Sequence, residues 1–237
     1  MSPISERLQA AELYINFVFC ILNEENYLST TLNSMEQQMM KSTSKFLKSA
    51  LLMTSFGFIA SNAFCGGTIT GTVDASIPKY KTDAVVYLVG VKGPVVPHNA
   101  VVDQKSLVFV PHVTAVPVGS TVDFKNNDKV NHNIFSGSAA KKFNLGTYNP
   151  GMSKPVTFDK PGAINLLCNV HSEMSGWVVV TENQYAAVSE HDGKFTINNV
   201  PAGTYKITAW SEKLKAQEGT VTVVDGKTAN VTVKLAK

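Results

Sequence analysis

From Gly66 to Lys237 the chain is a succession of short β-branched runs separated by turn residues. That pattern limits the fold more than any other feature. Strands are predicted over 68–73, 84–89, 106–110, 114–118, 120–124, 133–135, 154–158, 163–167, 176–181, 194–197, 203–210, 219–224 and 229–235. Asn126-Asn127-Asp128, Asn149-Pro150-Gly151, Pro161-Gly162, Asp192-Gly193 and Asp225-Gly226 punctuate them. Strands of this length, alternating or continuously apolar and divided by such turns, build all-β sandwiches. Helical periodicity is missing from this region. Hydrophobic residues make up 44% of the chain and charged residues 16%, enough apolar surface for a core.

Two units can be separated. Residues 98–182 read as one sandwich. Residues 183–237 supply four strands, too few for a second. The strands within 66–97 are spare, and the expected arrangement uses them to complete the C-terminal unit. The middle unit then becomes an insertion, which loop tips tolerate.

The N-terminal region reads as a targeting segment. Lys41, Lys45 and Lys48 precede an apolar stretch from Ala50 to Ala60, and Ser61-Asn62-Ala63 offers a small-x-small cleavage site. This is the layout of a secretory signal, too short to span a bilayer as a helix. Met39 and Met40 stand directly before it, so residues 39–63 are expected to be the signal and residues 1–38 an upstream extension. The alternative is an uncleaved anchor behind a cytoplasmic segment. The mature chain would have no stable membrane span and would reside in the periplasm or be secreted. Of three cysteines, Cys20 falls in the extension, while Cys65 and Cys168 remain. An oxidising compartment permits a bridge between those two, although Cys65 would sit at a frayed terminus.

The middle unit contains a cluster of metal-ligand residue types. Cys168-Asn169-Val170-His171-Ser172-Glu173-Met174 places a thiolate, an imidazole and a thioether in one short connection between two strands. His132 follows the 126–128 turn and supplies a second imidazole. Two His and one Cys with a weak axial Met is the ligand set of a blue-copper electron-transfer site. A soft thiolate and thioether suit Cu(I), and imidazole suits both oxidation states. Zinc remains an alternative for Cys and two His, though its fourth ligand is ordinarily His, Cys, carboxylate or water.

In order along the chain, Ser106–Pro111, Val118–Asn127, His132-Asn133 and Cys168-x-x-His171-x-x-Met174 resemble the plastocyanin/amicyanin family of type-1 copper cupredoxins. The resemblance implies a Greek-key cupredoxin sandwich with one copper ion cycling between Cu(I) and Cu(II). It implies His132, Cys168, His171 and Met174 as ligands. Asn133 would support them, with its N–H on the Cys168 sulfur and its side chain tying the two ligand loops together. The two-residue gap between His171 and Met174 is similar to amicyanin. Asn131 stands where plastocyanins carry proline. A redox protein of the cytochrome or dehydrogenase class is the implied partner. Asp192–Tyr205 and Gly67–Val73 resemble the carboxypeptidase regulatory-like (transthyretin-like) sandwich, usually an accessory module.

Other classes find less support. Arg7 is the sole arginine and the net charge is +3, so no nucleic-acid-binding surface is expected. Neither a Ser-His-Asp set, a pair of catalytic acids nor a phosphate loop stands out, and no enzymatic activity is expected. Copper storage, delivery or sensing without electron transfer is the rival function. His112 is read as an ordinary exposed histidine. Lys125, Lys129, Lys141 and Lys142 are read as a solvated face, with a docking patch as the alternative.

Overall fold

A computed structural model of the chain describes residues 66–237. The expected extension, the export signal, Cys20 and Cys65 lie outside the described residues. The strands are β1 Gly67–Ala75, β2 Val85–Val89, β3 Ala100–Lys105, β4 Val108–Val110, β5 Val113–Pro117 and β6 Ser120–Asn126. They continue with β7 His132–Ser136, β8 Phe143–Tyr148, β9 Ser153–Phe158, β10 Gly162–Leu167 and β11 Ser175–Thr181. The last six are β12 Ala186–Val188, β13 Lys194–Val200, β14 Gly203–Trp210, β15 Lys215–Ala216, β16 Gly219–Val223 and β17 Thr228–Ala236. The fold is all-β, and among the described residues one 3-10 turn, Pro78–Lys81, is the only helical element.

Three sheets result. The largest runs β12-β2-β14-β15-β17-β1-β13, with β16 on β14. β1 pairs parallel to β17 from Thr68↔Thr228 to Ala75↔Leu235, and antiparallel to β13. The strands between β2 and β12 form two further sheets, β5-β11-β10-β7-β8 and β4-β3-β6-β9.

The apolar residues explain the layering. Ile69, Val86, Leu88, Phe195, Ile207 and Val233 lie in the core of the largest sheet. Val102, Phe124, Phe158, Ile164, Leu166 and Val178 fill the space between the two smaller sheets. A third cluster joins Val85, Val113 and Val179, flanked by Tyr87, Trp177 and Trp210. Trp177 and Trp210 meet there with ring centroids 5.0 Å apart.

This third cluster accounts for two uninterrupted apolar runs. Successive side chains on a strand face opposite ways, and a strand buried on both faces reads as continuously apolar. In β11, Val178 and Val180 point into the core between the small sheets, whereas Val179 points into the third cluster. In β2, Val86 and Leu88 face the core of the large sheet and Val85 faces the third cluster. The two runs therefore pack against each other.

Several strands differ from expectation. β3, β8, β12 and β15 have no counterpart among the predicted strands; β14 matches its predicted bounds, and the others shift at one or both ends by one to three residues.

Candidate metal centre

The loop from Cys168 to Met174 is closed at its base by the last pair of the β10–β11 ladder, Leu167↔Ser175. Its interior is fastened by the Met174 N–H, which donates to the His171 carbonyl at 3.1 Å. A hairpin pinned in this way presents its side chains from a fixed base. Leu167 also pairs with Phe135 on β7, the strand that begins at His132. The β7–β8 pairing shifts register between Asn133 and Phe135. Irregularities of this kind bend a strand and re-aim its side chains, and here His132, Asn133 and Ile134 are all buried.

The two elements bring three donors together. The ligand atoms of His132, Cys168 and His171 lie within 4.8 Å of one another. His132 Nδ1 and His171 Nδ1 face each other at 3.1 Å. His132 is fully buried, Cys168 is 4% exposed and Met174 is 1% exposed, while His171 is half-buried. Met174 and Cys168 belong to the same core cluster. Cys168 is a free thiol.

The ring state of His132 follows from its other nitrogen. His132 Nε2 lies 3.0 Å from Asp128 Oδ2. An ionised carboxylate only accepts, so Nε2 carries the proton and donates. Nδ1 is thereby left as the acceptor nitrogen, 3.1 Å from His171 Nδ1. Asp128 also accepts the Leu107 N–H at Oδ2 (2.8 Å) and the Lys129 N–H at Oδ1 (2.8 Å). These donors hold its carboxyl well below the ordinary range, at about 2, with the Leu107 N–H the largest cause.

This donor set fits a metal ion. Two imidazole nitrogens face one another beside a buried thiol, an arrangement that a soft or borderline cation satisfies and a disulfide does not use. Thiolate and imidazole favour copper or zinc, and a buried thioether in the same core favours copper.

Support for the cluster comes from a buried polar network. Asn126 is fully buried, and its Nδ2 donates to the carbonyls of Val130 (3.0 Å) and Tyr148 (3.1 Å). Its Oδ1 accepts the Asp128 N–H at 3.1 Å. Asn126 thus shapes the turn that leads to His132. Buried Gln104 donates from Nε2 to the Tyr148 hydroxyl, which donates to the Phe124 carbonyl at 3.2 Å. Burial pushes the Tyr148 phenol well above its ordinary range. Asn133 Nδ2 donates to Asn144 Oδ1 at 2.8 Å, so its side chain braces β7 against β8. That contact differs from the expected tie between the two ligand loops.

Asp128, Asn126, Gln104 and Tyr148 are the residues that sequence reasoning missed. Asp128 was visible only as a turn residue. Its four-residue spacing from His132 carries no directional meaning outside a helix. His112 lies away from the cluster, with Nε2 3.7 Å from Glu212 Oε2.

Residues 96–181, which include all four expected ligands, match the family described as copper binding proteins, plastocyanin/azurin family. Residues 161–231 match polysaccharide lyase family 4, domain II. No curated protein matches the chain. Among solved structures, the chain is similar to a purple cupredoxin from Nitrosopumilus maritimus. The identity is 28% and the TM-score 0.32, over 35% of this chain and 99% of that one. A copper-containing nitrite reductase from Thermus scotoductus is 28% identical with a TM-score of 0.35, over 40% of this chain and 24% of that one. A reduced amicyanin variant is 26% identical with a TM-score of 0.33, over 35% of this chain and 82% of that one. The family match over 96–181 and the His132–Cys168–His171 cluster together support a copper-binding cupredoxin unit within the chain.

Proposed function

We propose that this protein is an exported carrier of single electrons that holds one copper ion at His132, Cys168, His171 and Met174. The observation that carries this reading is the convergence of the His132 and His171 Nδ1 atoms at 3.1 Å beside the buried Cys168 thiol. Copper bound there supplies a one-electron couple between Cu(I) and Cu(II).

The chain's own residues do the rest. His132 and His171 offer Nδ1 lone pairs, Cys168 offers its thiolate, and Met174 offers a thioether from the apolar core. Their anchorage in a clamped hairpin and an adjacent strand limits movement between oxidation states, so little reorganisation accompanies transfer. Burial of His132, Cys168 and Met174 excludes water and external ligands. The half-exposed His171 edge is the route for electrons to and from a partner of the cytochrome or dehydrogenase class. Burial of three donors also favours retention of the ion over handing it on, and so favours the carrier over storage or delivery.

The signal-like layout of residues 39–63 supports a location in the periplasm or the medium. The large sheet, similar in its Asp192–Tyr205 stretch to the carboxypeptidase regulatory-like sandwich, serves as an accessory module that presents the copper unit.

Copper titration of the mature protein tests the reading. The oxidised, loaded protein should show an intense thiolate-to-copper charge-transfer band, and Cys168→Ser should lose it completely. Stopped-flow reduction by a cytochrome should be fast. A colourless wild-type complex would reject the type-1 site, and transfer of Cu(I) to an acceptor without electron exchange would favour delivery.

A further inference from the structure

We infer that Asp128 is a positioning residue for the metal site: its carboxylate locks His132 in the Nε2–H tautomer and lowers the reduction potential of the bound copper. The inference rests on the copper reading above and adds a residue that the ligand motif does not contain.

Asp128 makes a built contact. Its side chain is 12% exposed and lies against a fully buried imidazole, with Oδ2 3.0 Å from His132 Nε2. The same oxygen accepts the Leu107 N–H, and Oδ1 accepts the Lys129 N–H. Asp128 is itself fixed from behind, because its own N–H donates to Asn126 Oδ1. A carboxylate held by this many donors has little freedom to turn away from the ring.

The β3–β4 turn adds a second sign. Ser106 and Leu107 adopt φ of +55° and +61°. A two-residue hairpin turn with positive φ at both positions favours Asn or Gly, and a bulky residue such as leucine is an outlier there. The Leu107 N–H ends on the oxygen that accepts from His132. Asp128 therefore fastens a strained turn and a metal-binding ring through one atom.

The consequence for the metal follows from charge. A carboxylate behind a ligating imidazole raises the basicity of the ring and fixes its orientation. The added negative charge stabilises Cu(II) more than Cu(I). Asp128 should hold the potential below that of a site whose outer ring nitrogen meets a neutral partner.

Five measurements test this. In the metal-free wild type, nitrogen-15 NMR should find the His132 proton on Nε2; a proton on Nδ1 would overturn the inference without any variant. Asp128→Asn should lose about 10- to 100-fold in Cu(II) affinity. Its potential should rise by 59 mV for each tenfold change in the Cu(I)/Cu(II) affinity ratio. Asp128→Glu, which keeps the anion, should stay closer to wild type. The double variant Asp128→Asn/Leu107→Gly separates the two roles, since glycine relieves the strained turn. Restored stability with a potential that stays high supports action through His132. A potential that returns to the wild-type value, or an Asp128→Asn potential that never moved, would show that Asp128 serves the turn alone. Absence of the charge-transfer band in wild type would sink the copper reading, and the metal-free tautomer would still judge the hold of Asp128 on the ring.

Discussion

The two main cores of this protein hold equal numbers of buried apolar residues and differ in the polar residues buried beside them. Fifteen buried apolar residues fill the core of the large sheet and fifteen fill the space between the two smaller sheets. The buried polar residues are not shared so evenly. Among the described residues, Gln104, Thr114, Ser120, Asn126, His132, Asn133, Ser136 and Thr181 lie on strands β3 to β11, and only Asn183 and Ser189 lie beyond them. An apolar core of this size is therefore sufficient for a sandwich, as the large sheet demonstrates. The buried amides and imidazole of the other core are additional to folding. They cost desolvation unless every partner is in place. Asn126 and Tyr148 meet that condition at the end of the sandwich that holds the donor cluster, whereas buried Gln104 bonds through Nε2 and leaves its Oε1 without a partner.

Substitutions in the two cores should have different consequences. Ile207 is fully buried in the large-sheet core. Ile207→Ala should destabilise by about 4 kcal/mol through lost burial and a residual cavity. Chemical denaturation of the metal-free chain measures the loss, and the copper-loaded spectrum should not change. Asn126→Ala should cost less, about 3 kcal/mol, by leaving buried carbonyls without donors. It should also weaken copper binding, because Asn126 shapes the turn before His132 and holds Asp128. A spectral change in Ile207→Ala, or unchanged copper affinity in Asn126→Ala, would erase the distinction between a core for stability and a core for a site.

The same distinction decides how much of the molecule can be read from its sequence. Strands with an unbroken rule of facing were legible. β1 alternates, and the apolar runs of β2 and β11 signal burial on both faces. β3 escaped because its inward positions are Val102 and Gln104, and a buried amide breaks the apolar alternation. β8 escaped because it is largely exposed and carries Gly146 at φ +65°. The Cys168–Met174 part of the site was legible because a single loop contains it. His132 was legible only as a histidine after a turn that could complete the donor set, since nothing local ties it to a loop 36 residues on. Asp128, Gln104 and Tyr148 were illegible. Their roles depend on which strands become neighbours, and a polar residue's partner is not encoded in its own spacing.

Acid offers the finest test of the contrast, because each region has a carboxylate held below its ordinary range by a different cause. Asp128 is held at about 2 mainly by the Leu107 N–H, then by His132 and the Lys129 N–H. Asp192, on the hairpin before β13, is lowered chiefly by the exposed side chain of Lys194, 2.7 Å away. For both, the unfolded chain binds the proton more readily than the folded one, so stability rises with pH across the window. The contribution of Asp128 is complete above the unfolded value of about 4 and disappears as pH falls towards 2. Fixed hydrogen bonds screen poorly, whereas an exposed ion pair weakens in salt. The stability difference between metal-free wild type and Asp128→Asn should therefore shrink from pH 4 to pH 2 and change little in 1 M salt. The corresponding difference for Asp192→Asn should be smaller and should fade in salt at any pH. If salt removed the Asp128 effect as well, its carboxylate would be an ordinary surface charge, and the polar network beside the donor cluster would lose its claim to be a built part of the site.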